Sequence, residues 1–354
     1  MYDIAADVHR WHTDATEVAL ARVVSVSGLG SSSSTQAVAL SATGEVAGQV
    51  LDAAADVQLL PLMRQALHGP ALVVDLVVTD EQAVDAGLVC GGRARVLVQP
   101  ARDVPEPAWE ALRQREPICL VSDVSGETIG LTTWFTQPSL ASGHDDQVGG
   151  GWTRHAPDVV RLFGRGSSVS VSSRLADGRD VLSEVLWPTP RLVVVGDGLV
   201  ASALAQLAGF LGWGVTVHTH VTQAVAAVAD LSRADALVVL SHDRDVDGPV
   251  LTAALAGRAG YVAGLGSRRT QAARREWLRD RGVPDRVTAR MHGPAGLDIG
   301  ARTPAEIALS ILSEAVAVRS GTNGQALRER SGPVHADGLH TPPPSDDAPL
   351  TRPL

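Results

Sequence analysis

Cysteine is scarce in this chain of 354 residues, which contains only Cys90 and Cys119. Two thiols cannot form the dense disulfide framework of small secreted proteins, and no Cys-x-x-Cys spacing is present that could bind structural zinc. Cys119 lies in the apolar run ICLV, so we predict that it is a buried core residue. Cys90 is followed directly by Gly91 and Gly92, which leave the backbone around its thiol open.

An excess of positive charge and long apolar runs are also missing. The formal net charge is −9, whereas proteins that bind nucleic acids usually carry a basic surface, so we expect no nucleic-acid partner. No apolar run approaches the roughly 20 residues that span a bilayer. The start, MYDIAADVHRWH, has neither the basic nor the apolar region of a signal peptide. We therefore expect a cytoplasmic protein with no membrane partner.

Residues 1–100 predict a small α+β domain. Ile4, Val8 and Trp11 recur at helical spacing, and β-rich runs follow at 17–28, 37–50, 71–80 and 94–100. Residues 101–190 are predicted to be a linker and a β-rich connecting segment, with the proline-bearing linker at 101–110 and a glycine-rich loop at 147–154. This half of the chain is thus predicted to consist mainly of strands.

The pattern changes at residue 191 to alternating strands and helices, which is typical of a parallel sheet. The last helix is predicted over 303–321, with Thr303 as its N-cap, Pro304 in its first turn and Glu306 completing a capping box. The fold class is therefore α/β: a C-terminal Rossmann-like parallel sheet (191–321) beside a smaller N-terminal α+β domain. The proline-rich tail, 322–354, is predicted to be disordered.

The sharpest local motif is a Gly-x-Gly-x-x-Ala pattern formed by Gly196, Gly198 and Ala201, between a hydrophobic strand and a helix. The first glycine allows a tight turn, the second lets the backbone approach a phosphate, and the alanine allows close packing of helix and strand. Free N–H groups at the helix start then favour an anion. A tight turn with only a structural role is the alternative.

A dinucleotide-binding domain usually carries an acid about 20 residues further on, at the end of the second strand. Here that place holds His218, Thr219 and His220, and no carboxylate. The two histidines could contact a ligand, although histidines at a strand end more often have no special role. The sequence therefore predicts weak recognition of NAD.

Other polar groups follow the remaining strands, where open α/β sheets bind ligands. Ser241, His242 and Asp243 follow one strand. Small residues, hydroxyl groups and guanidinium groups suited to phosphate follow the next, at Gly264, Gly266, Ser267, Arg268, Arg269 and Thr270. A third segment contains Gly293, Gly296, Asp298 and Gly300. Each segment alone could serve only a turn or a helix cap, but three on one edge predict a binding cleft.

Four of these segments form one pattern: VVVGDGLVA, VVLSHDRDVDGPVL, YVAGLGSRRT and HGPAGLDIGARTPAEIALSILSEAVAVRSG. Together, over about 191–321, they resemble the C-terminal Rossmann domain of the XdhC/CoxI family of molybdenum-enzyme maturation factors. In the N-terminal domain, DAGLVCGGRARVLVQP (85–100) resembles the second cysteine–glycine motif of that family.

The resemblance implies a cofactor chaperone rather than an enzyme. Such proteins bind the molybdenum cofactor, as molybdopterin or its dinucleotide form, assist its sulfuration with a cysteine desulfurase, and deliver it to a xanthine or carbon monoxide dehydrogenase, a molybdenum hydroxylase. A homodimer is also implied. By the same resemblance, the helix start at Gly198 would hold a phosphate or nucleotide, and Cys90, with Gly91 and Gly92, would place a thiol near the metal.

Two N-terminal segments depart from the family pattern. The family's Gly-Ser-x-Pro-Arg-x-x-Gly loop corresponds here to residues 28–35, which lack the proline, the arginine and the final glycine. Its Ser-Gly-Gly-Cys-Val-Glu motif corresponds to residues 51–56, where Ala54 replaces the cysteine. The N-terminal site is therefore predicted to be altered, while the C-terminal edge is retained.

Two other functions are compatible with the sequence. One is an NAD(P)-dependent oxidoreductase that uses the same glycine turn, with His242 as its proton donor. The other is a scaffold for a molybdenum hydroxylase that has lost ligand binding, which the altered 28–35 and 51–56 segments favour.

Overall fold

A computed structural model describes residues 1–29, 35–88, 90–136, 156–175, 177–241 and 243–329. Within these ranges the chain forms three β-sheets, two antiparallel and one parallel. The predicted loop at 147–154, His242 and the tail from residue 330 lie outside the described residues. None of the helices in the described part is both long and apolar enough to cross a membrane.

The first sheet is antiparallel, with strand order β3-β2-β1-β5-β4. Ile4, Val8 and Trp11 are at most 2% exposed, which confirms the apolar face predicted for the first helix. The elements of this region are α1 (Tyr2–Thr13), β1 (Val18–Ser27), β2 (Ala37–Ser41), β3 (Val46–Gly48), α2 (Asp56–Ala66), β4 (Leu72–Val78), α3 (Asp80–Asp85) and β5 (Gly92–Pro100).

Residues 101–110, predicted to be a linker, are instead folded against the core. They form a 3₁₀ turn (Ala101–Asp103) and the start of helix α4 (Glu106–Arg113). Trp109 is 1% exposed and joins the same apolar cluster as α1. The prolines had indicated a linker, but they belong to the start of a helix. Pro105 is the N-cap of α4 and Pro107 lies in its first turn, where a missing N–H costs nothing.

The second sheet is also antiparallel and confirms the predicted strands of 111–190, in the order β7-β6-β9-β8. It packs on the first sheet through a buried polar contact, in which Arg22 of β1 pairs with Glu184 and hydrogen-bonds to Ser122 at 2.6 Å. Both members of the pair are fully buried. The elements are β6 (Ile118–Asp123), β7 (Thr132–Thr136), α5 (Ala156–Phe163), β8 (Val169–Arg174) and β9 (Asp180–Leu186).

The third sheet is parallel, with strand order β11-β10-β12-β13-β14, so the predicted fold class is confirmed. One apolar cluster on one face includes α6 and α11, and another on the opposite face includes α7, α8 and α9. The elements are β10 (Arg191–Val195), α6 (Leu199–Phe210), β11 (Gly214–His218), α7 (Val221–Ala229), β12 (Ala236–Val239), α8 (Arg244–Ala256), β13 (Tyr261–Gly264), α9 (Arg268–Asp280), α10 (Asp285–Thr288), β14 (Met291–His292) and α11 (Pro304–Arg319).

The capping box predicted for the last helix is present in α11. The Thr303 hydroxyl accepts from the backbone N–H of Glu306, and the Glu306 carboxylate accepts from the backbone N–H of Thr303. These bonds satisfy N–H groups that have no partner inside the helix, so they fix where α11 begins.

Asp235, just before β12, joins the parallel sheet to the rest of the chain. Its buried carboxylate accepts from the backbone N–H of Arg191 at 2.7 Å, from that of Ser232 at 2.8 Å and from the guanidinium of Arg115 at 3.1 Å. Burial acts to raise the pKa of Asp235, but the bonds from Ser232 and Arg191 and the charge of Arg115 outweigh it and lower the pKa. The ionised carboxylate therefore stabilises this junction.

Candidate functional site

The turn between β10 and α6 has the geometry that the glycine motif predicts. Gly196 has a φ of +116°, and a Cβ there would lie 3.1 Å from the backbone nitrogen of Ser241. Gly198 has a φ of +90°, and a Cβ there would meet nothing within 4 Å. Ala201 is 3% exposed and packs in the core beneath the turn. Gly196 is therefore needed for close packing, whereas Gly198 faces open space.

Among the described residues, no side chain caps the start of α6. Gly198 is the N-cap and provides no side-chain hydrogen bond, and the first turn contains no acidic residue. Leu199 is 75% exposed, so this helix end is open to solvent. Free N–H groups and the positive end of the helix dipole together favour an anion here.

The loop after β12 lies directly beside this turn. The backbone N–H of Ser241 donates to the carbonyl of Val195 at 3.3 Å. Asp243 is the N-cap of α8, since its carboxylate accepts from the backbone N–H of Asp245 at 2.9 Å. Asp243 therefore has a structural role, and its predicted contact with a ligand stays a prediction.

The loop after β13 combines structural glycines with exposed cations. A Cβ on Gly264 would lie 2.7 Å from Nη1 of Arg274, and Gly266 has a φ of +130°. Ser267 caps α9 by accepting from the backbone N–H of Thr270 at 3.2 Å. Arg268 and Arg269 follow in the first turn of α9, and both side chains are exposed. Neither forms an ion pair within the part of the chain that the structure describes. Their guanidinium groups can therefore meet an anion.

Arg274 holds these two loops together, a role that was not predicted from the sequence. Its buried guanidinium donates to the carbonyls of Ser241 and Leu265, each at 2.6 Å, and forms an ion pair with Asp247 at 2.6 Å. Arg274 lies one helical turn before the fully buried Leu278. Its place on the same helix face as this leucine was the signal that could have found it.

The third glycine-bearing loop is fastened beside the second. The backbone N–H of Ala295 donates to the carbonyl of Gly264 at 3.1 Å, and that of Gly296 donates to the Glu314 carboxylate of α11 at 2.7 Å. The loops after β10, β12, β13 and β14 therefore follow one another along one edge of the sheet. Asp298 and Gly300 lie exposed on this third loop.

Glu314 is the centre of the contacts that hold the third loop. It accepts from the Tyr261 hydroxyl at 2.6 Å and lies 3.0 Å from Nδ1 of His292. Burial acts to raise the pKa of Glu314, but the hydrogen bonds from His292, Tyr261 and Gly296 outweigh it and lower the pKa. An ionised Glu314 is thus part of the architecture of the edge rather than a group available to a ligand.

The position of the usual dinucleotide-binding acid lies at the end of β11, as predicted. This strand ends at His218, whose backbone carbonyl accepts from the N–H of Gly196 at 2.9 Å. Thr219 and His220 follow, so the place carries imidazole and hydroxyl groups instead of a carboxylate. Weak NAD binding remains the expectation.

A family model described as the XdhC Rossmann domain matches residues 192–315. These residues are therefore similar to the XdhC Rossmann domain family. The resemblance found in the sequence is confirmed for this segment, which contains the whole edge described above.

Two curated relatives come from Escherichia coli strain K12. The uncharacterized protein YqeB is 31% identical over 196 residues, 49% of this chain and 36% of that protein. The molybdenum cofactor insertion chaperone PaoD is 33% identical over 132 residues, 37% of this chain and 41% of that protein. The matches thus span well under half the length of these relatives.

A solved chain described as a xanthine dehydrogenase from Bacillus halodurans is 16% identical, with a TM-score of 0.46, over 91% of this chain and 98% of that one.

The cysteine–glycine segment that resembles the XdhC/CoxI motif makes its contacts within the first sheet. The exposed Cys90 donates from Sγ to the carbonyl of Gly28 at 2.6 Å. A Cβ on Gly91 would lie 2.5 Å from the carbonyl of Val78, and one on Gly92 would lie 2.3 Å from a backbone carbonyl of β1. Both glycines are therefore required for packing. No cluster of three metal-ligating side chains occurs among the described residues, so a metal contact of Cys90 stays a prediction.

The altered 51–56 segment keeps an unusual backbone. Leu51, Asp52 and Ala53 have φ values of +53°, +50° and +64°, and α2 begins only at Asp56. The family motif has glycines at the positions of Asp52 and Ala53, and glycine adopts this conformation without steric cost. The backbone conformation that favours glycine is thus present although the glycines and the cysteine are not.

Proposed function

We propose that this protein is an accessory factor that binds the molybdenum cofactor at the carboxyl edge of its parallel sheet and assists its insertion into a molybdenum hydroxylase. The observation that carries the proposal is the open, uncapped start of α6 at Gly198, in a chain that is 33% identical over 132 residues to a molybdenum cofactor insertion chaperone. The client would be of the xanthine or carbon monoxide dehydrogenase type.

The edge fits the anionic part of such a cofactor. Backbone N–H groups at the start of α6 would hold a terminal phosphate or a pyrophosphate, and Arg268 and Arg269 would supply charge from the adjacent loop. Arg274 and Glu314 would keep the loops in place without touching the ligand. The cofactor supplies the redox chemistry of the client enzyme, whereas the residues of this chain bind, orient and release it.

The proposal also covers the ligand, the source of sulfur and the oligomeric state. We expect either molybdopterin or its dinucleotide form as the ligand, a cysteine desulfurase as the source of sulfur, and a homodimer as the functional unit. Cys90 is exposed, so its thiol is accessible to a partner or to the cofactor.

The test is to purify the chain from cells that synthesise the molybdenum cofactor, denature it, and identify the released small molecule by mass spectrometry. We expect a pterin from the natural chain and none from Gly198→Val, because the new side chain would occupy the open space before α6. Gly212→Val is the matched control, since Gly212 lies just after the far end of α6, has a φ of +74° and also faces open space. Melting temperatures of both variants show that they fold.

Absence of a pterin from the natural chain under these conditions would contradict the proposal. Recovery of a hydroxylase with the chain, but of no cofactor, would support the scaffold function instead. A fluorescence titration with NAD and NADP tests the oxidoreductase function, for which tight binding would be required despite the missing acid after β11.

A further inference from the structure

A second cavity lies at the opposite edge of the parallel sheet, where β12 and β13 begin and α11 ends. Its volume is about 490 Å³, within the usual range of small-molecule sites. Its walls come from both the parallel sheet and the second antiparallel sheet, since Trp187 follows β9 and Trp213 precedes β11. Because the Gly198 turn follows the other ends of these strands, this cavity is separate from the site proposed above.

The charge of the cavity is positive. Four arginines line it, and three are engaged: Arg233 and Arg258 both pair with Glu116, and Arg290 donates to backbone carbonyls at the end of α8. Among the described lining residues, Asp235 is the sole carboxylate, and it is already held by the bonds described above. The positive charge that these carboxylates do not balance is therefore available to an anion.

The fourth arginine, Arg319, has no hydrogen-bond or ion-pair partner in the part of the chain that the structure describes. Its guanidinium lies 5.2 Å from the centre of the Trp213 ring, and partial burial lowers its pKa. Its Nε and the Nε1 of Trp187 are both hidden from solvent and have no acceptor among the residues that the structure describes. A buried donor without an acceptor destabilises the folded chain, because it has lost its hydrogen bonds to water. Two such donors beside one cavity indicate a missing oxygen acceptor.

We propose that this cavity binds a small molecule that carries a phosphate or carboxylate group on a planar ring. The Arg319 guanidinium holds the oxyanion, and modest side-chain rotation brings Nε and the Trp187 indole N–H to its oxygens. The rings of Trp187 and Trp213 form the wall against which the planar group packs. Guanidinium is suited to this role because its fixed donors match the geometry of both oxyanions.

The experiment is calorimetric titration of the full chain carrying Gly198→Val, so that the first site does not contribute. AMP serves as the phosphate probe and phthalate as the carboxylate probe. We expect at least one to bind, with Arg319→Met weakening binding by about 10- to 100-fold through loss of a charged donor. The matched control is Arg328→Met, which removes the same charge from a side chain that is 84% exposed.

Two further readouts make the result decisive. Trp187→Phe keeps an aromatic ring in the wall but removes the N–H, so binding should weaken about fivefold. Arg319→Met should leave the melting temperature unchanged or raise it, because a partly buried charge without a partner is removed. Any of three results would overturn the proposal. These are equal binding by the Arg319→Met and Arg328→Met chains, a marked loss of stability in Arg319→Met, and no binding of either probe. If the natural chain bound a probe and the Gly198→Val chain did not, the binding would belong to the first site, and the proposal would also be overturned.

Discussion

Replacement of Arg274 by methionine tests how the carboxyl edge is held together. Methionine has a similar length but no charge, so Asp247 would lose its guanidinium partner, and the carbonyls of Ser241 and Leu265 would lose donors at 2.6 Å. Removing one member of a buried ion pair costs about 3–5 kcal/mol. For a domain of this size we expect the melting temperature to fall by roughly 10 °C.

The assay is urea unfolding followed by circular dichroism, together with measurement of bound cofactor. The double variant Asp247→Asn/Arg274→Met removes both charges of this ion pair, so it should recover most of the lost free energy of unfolding. Cofactor binding should weaken in both, since the loops after β12 and β13 lose their common anchor. If Arg274→Met unfolded within about 1 kcal/mol of the natural chain, below the penalty expected for a broken buried pair, the reasoning would be refuted.

Two further predictions concern the rest of the fold. Asp235→Asn should lower the free energy of unfolding at neutral pH by about 2–3 kcal/mol, because charged bonds from Arg191 and its neighbours are lost. Since the folded pKa of Asp235 is lowered, its stabilisation is present above the unfolded value of about 3.9 and is lost as the pH falls through the folded value. Urea midpoints measured from pH 7 to pH 3 should therefore fall less steeply in Asp235→Asn than in the natural chain, and equal slopes would argue against this. Ala53→Gly should raise the urea midpoint by an amount equivalent to about 0.5–1 kcal/mol, because its φ of +64° costs alanine but not glycine, and a destabilised variant would contradict this.

Much of the candidate site could be predicted because parallel strands place their carboxyl ends on one edge. The segments around Gly198, Ser267 and Gly296 were each visible as a break after a hydrophobic run, and the topology then brought them together. Their supports could not be predicted in this way. Arg274 and Glu314 act across elements, and their partners are decided by packing rather than by spacing along the chain.

Residues 101–110 show a similar limit of prediction from the sequence. Proline favours both linkers and helix starts, so the local sequence did not distinguish them. Burial of Trp109 against α1 decided the outcome, and that contact joins residues about one hundred positions apart. The same applies to Arg22 and Glu184, which look like surface charges in the sequence and are fully buried between two sheets.

The sequence by itself determined the alternation of strands and helices in 191–321, the capping of α11 and the glycine turn at 196–198. These features depend on residues within one turn or one strand of each other. Only the tertiary structure decided which charges are buried, which side chains hold the loops, and that Arg319 and Trp187 line one cavity. These properties depend on contacts between distant residues, whose free energy is set by burial and by the available partners.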